Sequence, residues 1–188
     1  MRGEYLDRLL DAVTSKTILL YGSESSGKTK LASIIAKRVS LSGGRVIYAF
    51  NSLFNRESFA SALAGSIENI LMVGFRDFSS IIPLFVRAAV SGYVMLIIDE
   101  ISSEQQDPCE LSLSVALLSE VARKFNRSLL IIVDESPEGG PIFHKIFLRY
   151  VDEVLHVQRR NGELRVQLPG GGLSLPLGDL LFGEGRIV

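Results

Sequence analysis

The chain has one cysteine, two histidines, six prolines and almost no net charge, with 20 basic against 21 acidic residues. One cysteine, Cys109, excludes an internal disulfide framework and fits a reducing, cytoplasmic setting. Cys109 is also a poor nucleophile candidate, because no histidine stands near it in sequence. A net charge of −1 supplies no overall basic field for nucleic acid, which leaves only local patches to consider. Long apolar runs are missing as well. Those present are too short, or too interrupted by polar residues, to cross a bilayer, so no membrane partner is expected. The first residues, Met1-Arg2-Gly3-Glu4-Tyr5-Leu6, hold no apolar signal core. Repeats, coiled-coil heptads and low-complexity tracts are absent too.

What is present is a well-filled core. Hydrophobic residues make up 47% of 188, which argues against disorder and for one domain, residues 1–188. At the front of that domain stands Gly22-Ser23-Glu24-Ser25-Ser26-Gly27-Lys28-Thr29, a fit to the phosphate-loop pattern G-x-x-x-x-G-K-[ST]. An apolar strand-like run, Thr17 to Leu20, precedes it, and a helix-like run, Leu31 to Val39, follows. A strand, a glycine-rich turn and a helix N-terminus direct backbone N–H groups and the positive helix end at one point. The β- and γ-phosphates of ATP suit that point, with Lys28 reaching them and the Thr29 hydroxyl holding Mg²⁺. A chance Gly/Ser turn would not come with both flanks.

Strands and helices then alternate. A short helix is read over Tyr5–Val13, a buried strand over Arg45–Phe50 with Asn51 at its C-terminal end, and a helix over about Arg56–Gly65. A third strand is read over Asn69–Val73 and a helix over Phe78–Val90, with Pro83 in its first turns. Tyr93 to Ile98 is a continuous apolar run ending in Asp99-Glu100, the pattern of a central parallel strand with a carboxylate at its tip. Beside a phosphate loop it reads as a Walker B motif, with Asp99 on the Mg²⁺ shell. A polar loop over Ser102–Glu110, a helix over Leu111–Phe125 and a strand over Ser128–Val133 ending at Asp134-Glu135 follow. Past Gly139-Gly140-Pro141 the runs 150–158 and 163–168 flank Asn161-Gly162, a hairpin dipeptide, and a Gly/Pro-rich tail closes the chain. The predicted fold is α/β: a mostly parallel sheet flanked by helices, with a C-terminal antiparallel hairpin.

These stretches resemble the RecA/RadA recombinase ATPase core, and in particular a short archaeal RadA paralogue. The phosphate loop is very similar to that of the family. Tyr5-Leu6-Asp7-Arg8-Leu9-Leu10 resembles the leader that precedes the loop in RadA-type proteins, and Lys28 and Asp99 stand roughly seventy residues apart, as the family's two Walker motifs do. The run ending Val133-Asp134-Glu135 falls where the family has a strand ending in an Asn-Gln sensor. Leu181 to Ile187 resembles the closing strand. Most of the chain is covered, by pattern and order more than by identity. The resemblance implies a RecA-like P-loop ATPase fold, with ATP and Mg²⁺ as cofactors. It implies nucleotide contacts from Gly22, Ser23, Glu24, Ser25, Ser26, Gly27, Lys28 and Thr29, with Arg56 stacking on adenine. Metal contacts fall to Thr29 and Asp99, and catalytic roles to Lys28, Glu100, Asn51 and Glu135.

Departures from the family shape the expected activity. The glutamate that orients the attacking water is replaced at the corresponding position by Asn51, an amide that can hold a water but cannot take its proton. Glu100, directly after Asp99, is the substitute base. Asp134-Glu135 replaces the Asn-Gln sensor, and acids near a γ-phosphate repel it unless turned away or metal-bound. Slow or no hydrolysis is expected. Of the two loops that contact DNA in the family, Ser102–Glu110 contains no Lys or Arg and Ser136–Lys145 offers only His144 and Lys145. Weak single-stranded DNA binding follows, since phosphate contacts supply most non-specific affinity. Arg149, Arg159, Arg160 and Arg165 form a lesser basic group, equally well explained as solvated hairpin charges. The domain and polymerisation motif that precede the RadA core are expected to be missing, so self-polymerising filaments are not expected, and Phe59-Ala60-Ser61-Ala62, though it fits the F-x-x-A docking pattern, reads as helix core.

The expected function is an accessory recombinase paralogue that binds ATP as a conformational ligand and works with a recombinase or other protein partner in DNA repair. A KaiC-like regulatory ATP switch, acting on proteins without DNA, is the alternative. A small-molecule P-loop kinase would need a basic lid where Asp134 to Gly140 is acidic, and an AAA+ ATPase would need a helical C-terminal lid.

Overall fold

The computed structural model describes residues 2–51, 67–101, 107–161, 163–168 and 171–176. The elements run α1 (Arg2–Val13), β1 (Thr17–Gly22), α2 (Lys28–Leu41), β2 (Arg45–Asn51), β3 (Ile70–Phe75), α3 (Ile81–Val90), β4 (Tyr93–Ile101) and α4 (Pro108–Phe125). They continue with β5 (Ser128–Asp134), the one-turn α5 (His144–Phe147), β6 (Glu153–Arg160), β7 (Glu163–Leu168) and β8 (Gly171–Pro176). Among the described residues the strands form one eight-stranded sheet in the order β3-β2-β4-β5-β1-β6-β7-β8. From β3 to β6 every pairing is parallel, and β7 and β8 add on antiparallel. The mostly parallel α/β sheet with a terminal hairpin is therefore as the sequence predicts.

Continuous apolar strands belong at the centre of such a sheet because both of their faces are covered. Strand alternation splits each run between two cores. Ile18, Leu20, Val46, Tyr48, Met95, Ile97, Leu130 and Ile132 face α1 and α2, meeting Leu9, Val13, Leu31, Ala32 and Ile35. Leu19, Ile47, Ala49, Leu96, Ile98, Leu129, Ile131 and Val133 face the opposite way, onto Phe85, Leu111, Val115, Leu118 and Phe147. The hairpin belongs to the first core through Leu155, Val157, Leu164 and Val166. Among the described residues no helix is long and apolar enough to cross a membrane.

Several element boundaries differ from the sequence reading by a few residues, and three of the differences have a clear local reason. Helix α4 begins at Pro108 and not Leu111, because the Asp107 carboxylate accepts from the backbone N–H of Cys109 and Glu110 and so caps the helix. A 3₁₀ turn, Phe78–Ser80, precedes α3, so Pro83 falls in the first turn of α3, where a missing N–H costs nothing. The Gly/Pro-rich tail contains a strand, β8, whose register sets Leu173 opposite Val166 and Leu175 opposite Leu164. The helix expected over Arg56–Gly65, the Phe59–Ala62 motif and the Leu181–Ile187 segment lie outside the described residues.

Candidate phosphate-binding site

Strand β1 stops at Gly22 and α2 starts at Lys28, so the loop between them crosses the C-terminal edge of the sheet. Its turn depends on left-handed backbone at Ser25 (φ 59°) and Gly27 (φ 100°). Gly27 is also the N-cap of α2, and having no side chain it leaves the first N–H groups of the helix uncapped by any side-chain acceptor. Those groups carry the partial positive charge of the helix end. The Ser26 hydroxyl is buried, with no hydrogen-bond partner among the described residues. Ser23, Glu24 and Ser25 are exposed.

Lys28 is almost fully buried; its ammonium donates to the carbonyls of Gly22 (2.9 Å) and Ser23 (2.8 Å) and forms an ion pair with Asp134 Oδ1 at 3.0 Å. Asp134 arrives there by register. It pairs with Gly22 across β1 and β5, and the next backbone N–H, from Glu135, donates to the Gly22 carbonyl at 3.0 Å.

The Thr29 hydroxyl donates to Asp99 Oδ1 at 3.3 Å, joining the phosphate loop to the tip of β4 across an interval of seventy residues. The other oxygen, Asp99 Oδ2, accepts from the Tyr48 hydroxyl at 2.5 Å. Burial raises the Asp99 carboxyl above the usual carboxylate range, while the hydrogen bonds from Tyr48 and Thr29 and the charge of Lys28 pull it back and Asp134 pushes it up. Burial, and then the Asp99 charge, holds the Tyr48 hydroxyl well above its ordinary value, so it serves as a donor. Thr29 and Asp99 present two hard oxygens side by side, the donor set that suits Mg²⁺. The metal would there offset phosphate charge beside Lys28.

Tyr48 is a site residue the sequence does not expose. It stands inside the apolar run Val46–Phe50, where an aromatic reads as core, and its partner lies on another strand. Replacing it as Tyr48→Phe would leave Asp99 Oδ2 buried without its donor, and a destabilisation of about 1–3 kcal/mol is expected. A urea midpoint equal to that of the wild type would refute this coupling.

Of the remaining candidates, Glu135 does not join Lys28. Adjacent residues on a strand face opposite ways, so Asp134 meets Lys28 while Glu135 turns from the loop, 3.5 Å from His156 Nε2. The His156 ring stacks on Tyr21, centroids 4.4 Å apart and nearly parallel. Burial and the Glu135 charge raise the Tyr21 hydroxyl. Asn51 ends β2 and Glu100 is the penultimate residue of β4, both at the same sheet edge as the loop. Their side chains, and Arg56 entirely, lie outside the described residues. Arg159 and Arg160 are exposed at the end of β6, and Arg165 sits 3.7 Å from Glu163. Arg149 is exposed in the segment before β6.

No protein-family model and no curated protein matches the chain.

Proposed function

We propose that the chain is an ATP-binding, RecA/RadA-like paralogue with weak or no intrinsic ATPase activity, accessory to DNA recombination and repair through a protein partner. The observation that carries the nucleotide part is the Thr29–Asp99 contact, 3.3 Å between residues seventy apart. A turn that matched the phosphate-loop pattern by accident would not meet an acid-tipped central strand at its own threonine. Strand order supports the RecA-like part. Strand β5 lies between β1 and β4, which sets the residue at its tip, Asp134, beside the phosphate loop as a sensor would be. Weak turnover follows from chemistry. The amide of Asn51 cannot take a proton, and Asp134 adds negative charge next to Lys28.

A second reading, a KaiC-like ATP switch acting on proteins alone, draws on the turn after β5. Ser136 N–H donates to the Gly140 carbonyl at 2.8 Å, Gly139 N–H donates to the Ser136 carbonyl at 2.9 Å, and Glu135 bridges to Pro141. This turn holds Glu138 and no Lys or Arg, a poor surface for a phosphate backbone. ATP turnover, alone and with single-stranded DNA, separates the readings, with Lys28→Ala as the blank. Slow turnover that rises with DNA supports the recombinase paralogue. Indifference to DNA favours the switch, and measurable turnover that persists undiminished in Lys28→Ala would refute the site assignment itself.

A further inference from the structure

We propose that Asp134 sets the affinity and the charge selectivity of the phosphate site, as an internal anion that a polyphosphate must displace from Lys28. This rests on the nucleotide-binding reading above. The Lys28 ammonium donates to Gly22 O and Ser23 O, and the charge that faces it is Asp134 Oδ1, an ion pair at 3.0 Å. A phosphate oxygen that pairs with the ammonium competes with these three oxygens. Both carbonyls belong to the loop backbone, and Gly22 O is held further by the Glu135 N–H. Asp134 is the acceptor free to leave. Its side chain is 46% exposed, so a released carboxylate passes into water, whereas the lysine side chain is 10% exposed and stays in place. The backbone of Asp134 does not have to move, since its carbonyl is held by the Ile142 N–H at 3.0 Å. A change of side-chain rotamer is enough.

The same carboxylate selects the form of the ligand. Lys28, Asp99 and Asp134 together sum to one negative charge, so a free nucleoside triphosphate is repelled more strongly than its less negative divalent-metal complex. Removing the Asp134 charge should relax that preference as well as tighten binding.

Titration calorimetry with MgATP, and with ATP in EDTA, tests both points on the wild type, Asp134→Asn and Glu120→Gln. The last removes a negative charge from the solvated face of α4, where Glu120 pairs with Arg123. Asp134→Asn is expected to bind MgATP about two- to fivefold tighter, the size of a partly exposed ion pair. Its ratio of free-ATP to MgATP dissociation constants should fall, and Glu120→Gln should match the wild type in both. Equal or weaker MgATP binding by a folded Asp134→Asn, with the wild type binding, overturns the proposal and leaves the nucleotide site standing. A Lys28–Asp134 pair with only a structural role predicts that result, together with a lower melting temperature. Absence of binding in both proteins refutes the nucleotide reading and the proposal with it.

Discussion

Lys28→Ala should lose MgATP binding by roughly ten- to a hundredfold, because the buried ammonium, with two protons on the loop carbonyls, has one left for a charge-assisted hydrogen bond to phosphate worth about 1.5–3 kcal/mol. The fold should tolerate the change. Lys28 pairs with a carboxylate that is half exposed and with two carbonyls, of which Gly22 O keeps the Glu135 N–H as a donor. Asp134, once unpaired, can be hydrated where it stands. Binding and stability should therefore separate: affinity collapses while the melting temperature moves by a few degrees at most, as for other single surface-reaching ion pairs. Unchanged MgATP affinity in Lys28→Ala would remove the lysine from the site. A large drop in stability would make it a structural residue first.

Gly22→Ala should do the reverse and damage the fold. A Cβ built at Gly22 falls 2.2 Å from the Val157 carbonyl oxygen and 2.8 Å from Ser26 Oγ. The serine can rotate, but the carbonyl belongs to β6, which runs parallel to β1 with Tyr21 opposite His156 in the register step just before. Relief would need the two strands to part at the phosphate loop. A loss of about 3 kcal/mol is expected, the upper end for overpacking, and for a chain of this length a fall in melting temperature of roughly 6–12 °C. Gly43→Ala is the comparison, since its Cβ meets nothing within 4 Å and only the left-handed backbone (φ 83°) resists it, at about 1–2 kcal/mol. Equal losses at the two positions would mean that the phosphate loop is not pressed against the C-terminal hairpin.

Contiguity decides what can be read from the sequence. The phosphate loop and the strand tip at Asp99 are each spelled in one unbroken stretch, and the apolar runs around them fix the alternation of strand and helix. The partners of Asp99 are another matter. Tyr48 lies 51 positions away on β2, and nothing in Val46–Phe50 separates an aromatic that fills the core from one that also bonds a carboxylate. Asp134 and Glu135 show the limit most plainly. As neighbours on an extended chain they must face opposite ways, but only the register of β5 against β1 says that Asp134 is the one that meets Lys28. His156 has no sequence signal at all, since its contacts with Tyr21 and Glu135 arise from the pairing of β6 beside β1. Strand β8 is hidden by composition: two glycines and a proline in six residues read as loop, while the pairing with β7 is tertiary. The start of α4 is the converse, because Asp107-Pro108 is a legible cap and first-turn pair that periodicity alone overlooks.

Nucleotide binding at the loop is the claim on which function, Asp134 and Lys28 all depend. The most direct test is calorimetric titration of the wild-type chain with ATP, in Mg²⁺ and then in EDTA. One site per chain, tight with Mg²⁺ and much weaker without it, is the predicted result. No heat and no displaceable binding in Mg²⁺, by a protein shown to be folded, would contradict it.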